Sequence, residues 1–210
     1  MDNGKSAQVT NKFARIISAM FHPLLMPVFG LVIIFSAPTL YNYIPFEVKK
    51  LLILIVLVNN VLLPLSLIPF FIHSKLIGAW SMNERKDRVI PLMISTILYI
   101  VTSYIIFRFS VPHFLKSYIL SVSVIVLAAT LINFLWKISL HSIGMGLLLS
   151  VVMTLSIKMY TPLTWYLFTS IIVTGFVLSS RLQLNINNAW QVWGGLLTGL
   201  LGFSFLMRLF

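Results

Sequence analysis

The chain of 210 residues contains no cysteine and only four acidic residues, Asp2, Glu47, Glu84 and Asp87. Without cysteine there are no disulfides, thiolate nucleophiles or cysteine metal sites. All four carboxylates fall between the long apolar runs. Proton relays and cation-coupled transporters place carboxylates at membrane depth, so ion pumping is disfavoured. No metal site and no cofactor is implied by the residues that remain. Charge of either sign is scarce as well, at 9% of residues against 59% hydrophobic. No water-soluble single domain has that balance, and runs of about twenty apolar residues account for it. Peptide groups cannot be left unpaired in hydrocarbon, and the runs lack the alternation of barrel strands. The expectation is an all-α, polytopic transmembrane helical bundle, an integral multi-pass membrane protein. No second soluble domain, linker, low-complexity tract or repeat interrupts it, so residues 1–210 read as one domain.

What is present is basic: fifteen Lys and Arg give a net charge of +11. In a soluble chain that would suggest nucleic acid. Here the cations sit between spans, where anionic headgroups attract them, so the implied partners are membrane lipids and not nucleic acid. Met1 to Arg15 is a polar lead carrying Lys5, Lys12 and Arg15. The apolar run after it is too long and too proline-rich for a cleavable signal, and reads as the first span. Seven spans are expected at roughly 16–38, 51–72, 89–107, 117–135, 139–157, 162–179 and 190–208. Tyr41, Tyr43, Trp80, Tyr118, Trp136, Tyr160, Trp165, Trp190 and Trp193 stand near their ends as an interfacial belt. His22-Pro23, Pro27, Pro64 and Pro69 predict kinks or breaks in the first two spans. Asn59-Asn60, in the second, predicts hydrogen bonding between helices in preference to a ligand site.

Counting alternations puts the amino terminus, the 73–88 loop, the 136–138 turn and the 180–189 loop on one face. Nine cations lie there and six opposite, and the excess is carried by the cations of the loops that matter most. The 73–88 loop ends in NERKDR, placing Arg85, Lys86 and Arg88 against headgroups, either as juxtamembrane charge or as phosphate ligands. In LWKISLHSIGMG, Leu135 to Gly146, the residues Lys137, Ser139 and His141 enter a helix start. There the unpaired peptide N–H groups and the dipole favour an anion. Taken alone, Ser139 suits capping or packing as well. In the Ser179 to Gly199 stretch, Arg181 opens a loop, and Asn187 and Gln191 share a helix face. Gly195, Gly199 and Gly202 form a small-residue seam that would press this span against the one bearing His141.

These two stretches resemble degenerate second and third motifs of the type 2 phosphatidic acid phosphatase superfamily, Pro-Ser-Gly-His and Ser-Arg-x5-His-x3-Asp. The chain has Ile138-Ser139-Leu140-His141 and Ser180-Arg181-x5-Asn187-x3-Gln191. The spacing is kept, and the resemblance covers a phosphatase-like core of about residues 117–208. It implies the family's six-span core plus one further span. It also implies a phosphorylated lipid or isoprenyl phosphate as ligand, with His141 as general acid and with Ser139, Lys137 and Arg181 on the phosphate. Arg85, Lys86 and Arg88 would add to that phosphate site, although the first motif, Lys-x6-Arg-Pro, is not intact. Asn187 stands at the nucleophile position and Gln191 at the orienting one, and an amide cannot replace an imidazole nucleophile. Three readings follow. The first is a lipid-phosphate or pyrophosphate binder without phosphohistidine catalysis. The second is an active phosphomonoesterase or pyrophosphatase using His22, His73 or a water activated by His141. The third is a structural or carrier protein with no phosphate site.

Overall fold

The computed structural model describes residues 3–75, 77 and 85–210, with side chains from residue 11 onward. Trp80, Glu84, Asp2 and the Lys5 side chain lie outside the described residues. Among the described residues there is no strand. The α-helices are α1 Asn3–Met20, α2 Met26–Ser36, α3 Phe46–Leu57, α4 Leu63–His73, α5 Val89–Phe107, α6 His113–Leu135, α7 Leu140–Met159, α8 Thr164–Gln183 and α9 Ala189–Leu209. Among the described residues seven stretches are long and apolar enough to cross a membrane: α1 with α2 from Asn11, α3 with α4, Lys86–Phe107, and α6 to α9 singly. The molecule is an all-α polytopic helical bundle.

Proline sets the two interruptions. Pro23 opens a 3-10 turn, Pro23–Leu25, between α1 and α2, and His22 caps it by accepting from the Leu24 N–H. A π-helical turn, Val58–Leu62, joins α3 to α4 just before Pro64, which cannot donate to the carbonyl one turn back. The wider turn aims Asn60 inward, where its Oδ1 accepts from Thr102 at 2.8 Å. The polar lead is helical from Asn3, since nothing in it breaks a helix as proline does. One expectation needs correction. Tyr118 is no interfacial residue: it is fully buried and its hydroxyl donates to Pro27 O at 2.8 Å. A phenol near a helix end can point into the bundle as well as outward, and the Pro27 carbonyl in the first turn of α2 offers it an acceptor.

At the centre is α7, with twelve of its twenty residues buried, a larger share than in any other span. Its contact with α9 is backbone against backbone. A Cβ on Gly146 would strike Leu196 O, one on Gly199 would strike Ile143 O, and one on Gly195 would come within 2.6 Å of Ser139 O. Lower down, Ser150 and Ser204 share a hydrogen bond of 2.6 Å across the seam. Between α5 and α6 the contacts are hydroxyl pairs, Thr96 with Thr130 at 2.8 Å and Ser103 with Ser123 at 2.7 Å. Such pairs hold helices together where burial of apolar surface gives no advantage over lipid.

Candidate functional site

The loops expected on one face do meet. Arg85 Nη1 donates to Phe134 O at 2.7 Å, Arg88 Nη1 to Ile138 O at 3.3 Å, and Lys137 Nζ to Ile186 O at 2.8 Å. Each bond ties one loop to the next, fixing the ends of α5 to α8 around a cavity of about 670 Å³. That volume falls within the range of ligand pockets.

The cavity has a cationic head and an apolar body. Its head is lined by Arg15 and Ser18 of α1, His22 of the break, Arg88 before α5, His141 of α7 and Arg181 of α8. The body runs down between α4, α5, α6 and α7 past Ile68, Leu92, Val122, Ile125 and Leu147. No Asp or Glu lines it among the described residues. Arg181 is 7% exposed, and its partners among the described residues are neutral. Its Nη1 donates to Ser18 Oγ at 2.8 Å, and Nε and Nη2 both donate to Asn187 Oδ1 at 3.3 Å. A buried guanidinium without a carboxylate is expensive and suits an anion beside it.

Beside Arg181, His141 Nε2 stands 3.0 Å from Ser18 O and 3.2 Å from Ser18 Oγ. A carbonyl only accepts, so Nε2 carries the proton. The ring of His22 lies 5.8 Å from that of His141, edge to face. His22 Nδ1 accepts from Leu24 N–H at 3.4 Å, which leaves the proton of the neutral ring on Nε2. Both imidazoles thereby offer N–H donors at the head of the cavity. Burial first, and then the guanidiniums of Arg88 and Arg181, hold the Lys137 ammonium below the usual lysine range. That shift reports how positive this end of the bundle is.

Of the residues read from the sequence, His141, Arg181 and Arg88 line the cavity together. Asn187 and Gln191 stand behind Arg181: Asn187 Nδ2 donates to Gln191 Oε1 at 3.0 Å. Gln191 also closes a capping box with Asn188, its N–H donating to Asn188 Oδ1 at 2.9 Å while its Oε1 accepts from Asn188 N–H at 3.3 Å. The turn into that cap places Asn185 in the left-handed region, at φ 51°, where asparagine is tolerated. Ser139 is fully buried as the N-cap of α7 and accepts from Ser142 N–H and Ser142 Oγ, so its hydroxyl serves the helix and does not reach the cavity. Lys137 is engaged with the loop carbonyl of Ile186 and Arg85 with the Phe134 carbonyl at the end of α6, and Lys86 is exposed. His73, at the end of α4, is exposed and does not line the cavity. Ser18 was not anticipated, because an isolated serine on an amphipathic helix carries no local signal. Comparison with protein-family models, curated proteins and solved structures gives no match for this chain.

Proposed function

We propose that this is a multi-pass integral membrane protein that binds a phosphorylated lipid. The headgroup is held among Arg181, Arg88, His141 and His22, and the apolar chains lie in the body of the cavity. One observation carries the reading: buried Arg181, with only neutral partners among the described residues, opens with His141 onto a cavity whose other end is apolar. Hydrogen bonds from guanidinium and imidazole to phosphate oxygens are charge-assisted and stronger than those to Ser18 and Asn187. A phosphate would therefore displace the internal partners at a net gain. The same arrangement suits a mono- or diphosphate.

In this reading the protein is a divergent relative of the type 2 phosphatidic acid phosphatases without their phosphohistidine chemistry. Asn187 occupies the attacking position, and an amide nitrogen has no available lone pair for phosphorus. The alternative, an active phosphatase with another nucleophile, draws on the closeness of His22 to His141. Its tautomer opposes that role, because the nitrogen left to face the cavity bears a proton and donates.

Two measurements on the detergent-purified chain test the reading. A short-chain lipid phosphate at a hundredfold excess over its Kd should stabilise the fold by about 2.7 kcal/mol if only the folded state binds. No inorganic phosphate should be released from it. Release by the unaltered protein would favour an alternative nucleophile, and no stabilisation by any phosphorylated lipid would end the binding reading. Asn187→His should introduce phosphate release, since Gln191 Oε1 would accept from one ring nitrogen and leave the other for attack. Adding His141→Ala should remove that release.

A further inference from the structure

Two hydroxyls on the cavity wall have nothing to bond to. Ser95 and Tyr99 are four apart on α5 and so share one face, and both line the cavity. They are 5% and 2% exposed, line the cavity, and among the described residues neither hydroxyl makes a hydrogen bond. Elsewhere on the same helix the buried hydroxyls are all paired: Thr96 with Leu92 O and Thr130, Thr102 with Leu98 O and Asn60, Ser103 with Ser123. The unpaired ones are those that face the cavity. A donor left unsatisfied at membrane depth is costly, and two adjacent ones point to a ligand that supplies acceptors there.

Their position tells what kind. Ser95 follows Arg88 by seven residues, which places it about 10 Å further along the helix axis. The Tyr99 side chain, like other long side chains on a helix, leans back toward the helix amino terminus, and so toward Arg88. Both hydroxyls therefore lie a short step below the cationic head, in a wall that is otherwise apolar. An acylated glycerol phosphate has its ester carbonyls a few bonds from phosphorus, and its hydrocarbon begins immediately after. An isoprenyl phosphate has no acceptor beyond the phosphate itself.

We infer that Ser95 and Tyr99 form a carbonyl-binding subsite that selects acyl-ester glycerolipid phosphates over isoprenyl and ether-linked ones, an inference that rests on the lipid-phosphate reading above. Each hydroxyl donates to an ester carbonyl oxygen while the phosphate occupies the head.

The test compares dissociation constants of the full-length detergent-purified protein for dioctanoylglycerol phosphate, its dioctyl ether counterpart and farnesyl phosphate. The diester should bind about tenfold more tightly than the diether, roughly the worth of one neutral hydrogen bond. Ser95→Ala with Tyr99→Phe should bring the diester to the diether's level. Affinity for the diether, which does not use these hydroxyls, should stay the same and so report an intact fold. Tyr99→Phe alone, which keeps the ring and its packing, should lose part of the preference. Equal affinities for diester and diether in the unaltered protein, or a preference that survives the double substitution, would overturn the subsite while leaving phosphate binding standing. Failure of all three lipids to bind would overturn the lipid-phosphate reading itself, and this inference with it.

Discussion

The two faces of α7 differ in kind. Toward α9, Gly146, Gly195 and Gly199 let backbone meet backbone, and a Cβ on Gly146 or Gly199 would strike main-chain atoms that cannot move aside. Toward α1, α4 and α5 the same helix presents His141 and Leu147 to the cavity. The contrast shows how a small membrane protein can hold a site without a soluble scaffold. One face is rigid because its partners are backbone, and that rigidity fixes the register of His141 and Ser139 relative to Gln191. The other face borders the cavity, where the proposed ligand would sit. The bond from Ser139 N–H to Gln191 O, 3.2 Å, links the two ends of the seam directly beneath the site.

The largest effect should come from breaking the rigid face. Gly199→Ala forces Ile143 O away and should destabilise the bundle by about 3 kcal/mol, at the upper end of ordinary overpacking. Thermal unfolding in detergent would measure it, and a loss below ~1 kcal/mol would mean the seam is looser than backbone contact implies. On the open face, Arg181→Ala should abolish the ligand-induced gain of about 2.7 kcal/mol, read as the difference with and without lipid phosphate so that changes in baseline stability cancel. An unchanged gain would place the anion elsewhere.

Smaller, and opposite in sign, is the effect of Ser18→Ala. Ser18 Oγ now accepts from Arg181 and would compete with an incoming phosphate. Removing it should tighten lipid-phosphate binding about fivefold, the worth of ~1 kcal/mol for one internal hydrogen bond. Weaker binding in this variant would make Ser18 a ligand instead of a competitor. Last comes Gly144→Ala. Its Cβ would press on Cγ of the buried Met26, which can give way by turning its side chain where main-chain atoms cannot, so the loss should be about 1 kcal/mol. A loss as large as that at Gly199 would erase the distinction between the faces.

Hydropathy alone was enough to read the seven spans, their alternation and the meeting of four loops on one side, because the length of an apolar run is a direct consequence of bilayer thickness. The Gly195 and Gly199 seam was legible for a similar reason, since close helix approach demands small residues at a fixed spacing. The division of labour at the head was less so. Ser139 and Gln191 have the residue types of ligands and also of helix caps, and both are caps, because a helix start asks for the same oxygen acceptors that a site would. In the run Arg85-Lys86-Asp87-Arg88, helix phase alone decides that Arg88 turns inward while Lys86 faces out, and no spacing rule separates them. Ser18 lies 123 residues from His141 along the chain, and their contact exists only once α1 has packed against α7 and α8. Tyr118 shows the converse error, a residue typical of interfaces drawn inward by a single carbonyl at Pro27.

Binding of a phosphorylated lipid at the cationic head is the central claim, and native mass spectrometry of the detergent-purified protein tests it most directly. The unaltered chain and Arg181→Ala are each mixed with equimolar dioctanoylglycerol phosphate and dioctanoylglycerol, which differ only in the phosphate. The unaltered protein should retain one phosphorylated lipid and no neutral one, and Arg181→Ala should retain neither. Equal retention of the two lipids, or undiminished retention of the phosphorylated lipid by Arg181→Ala, would contradict it.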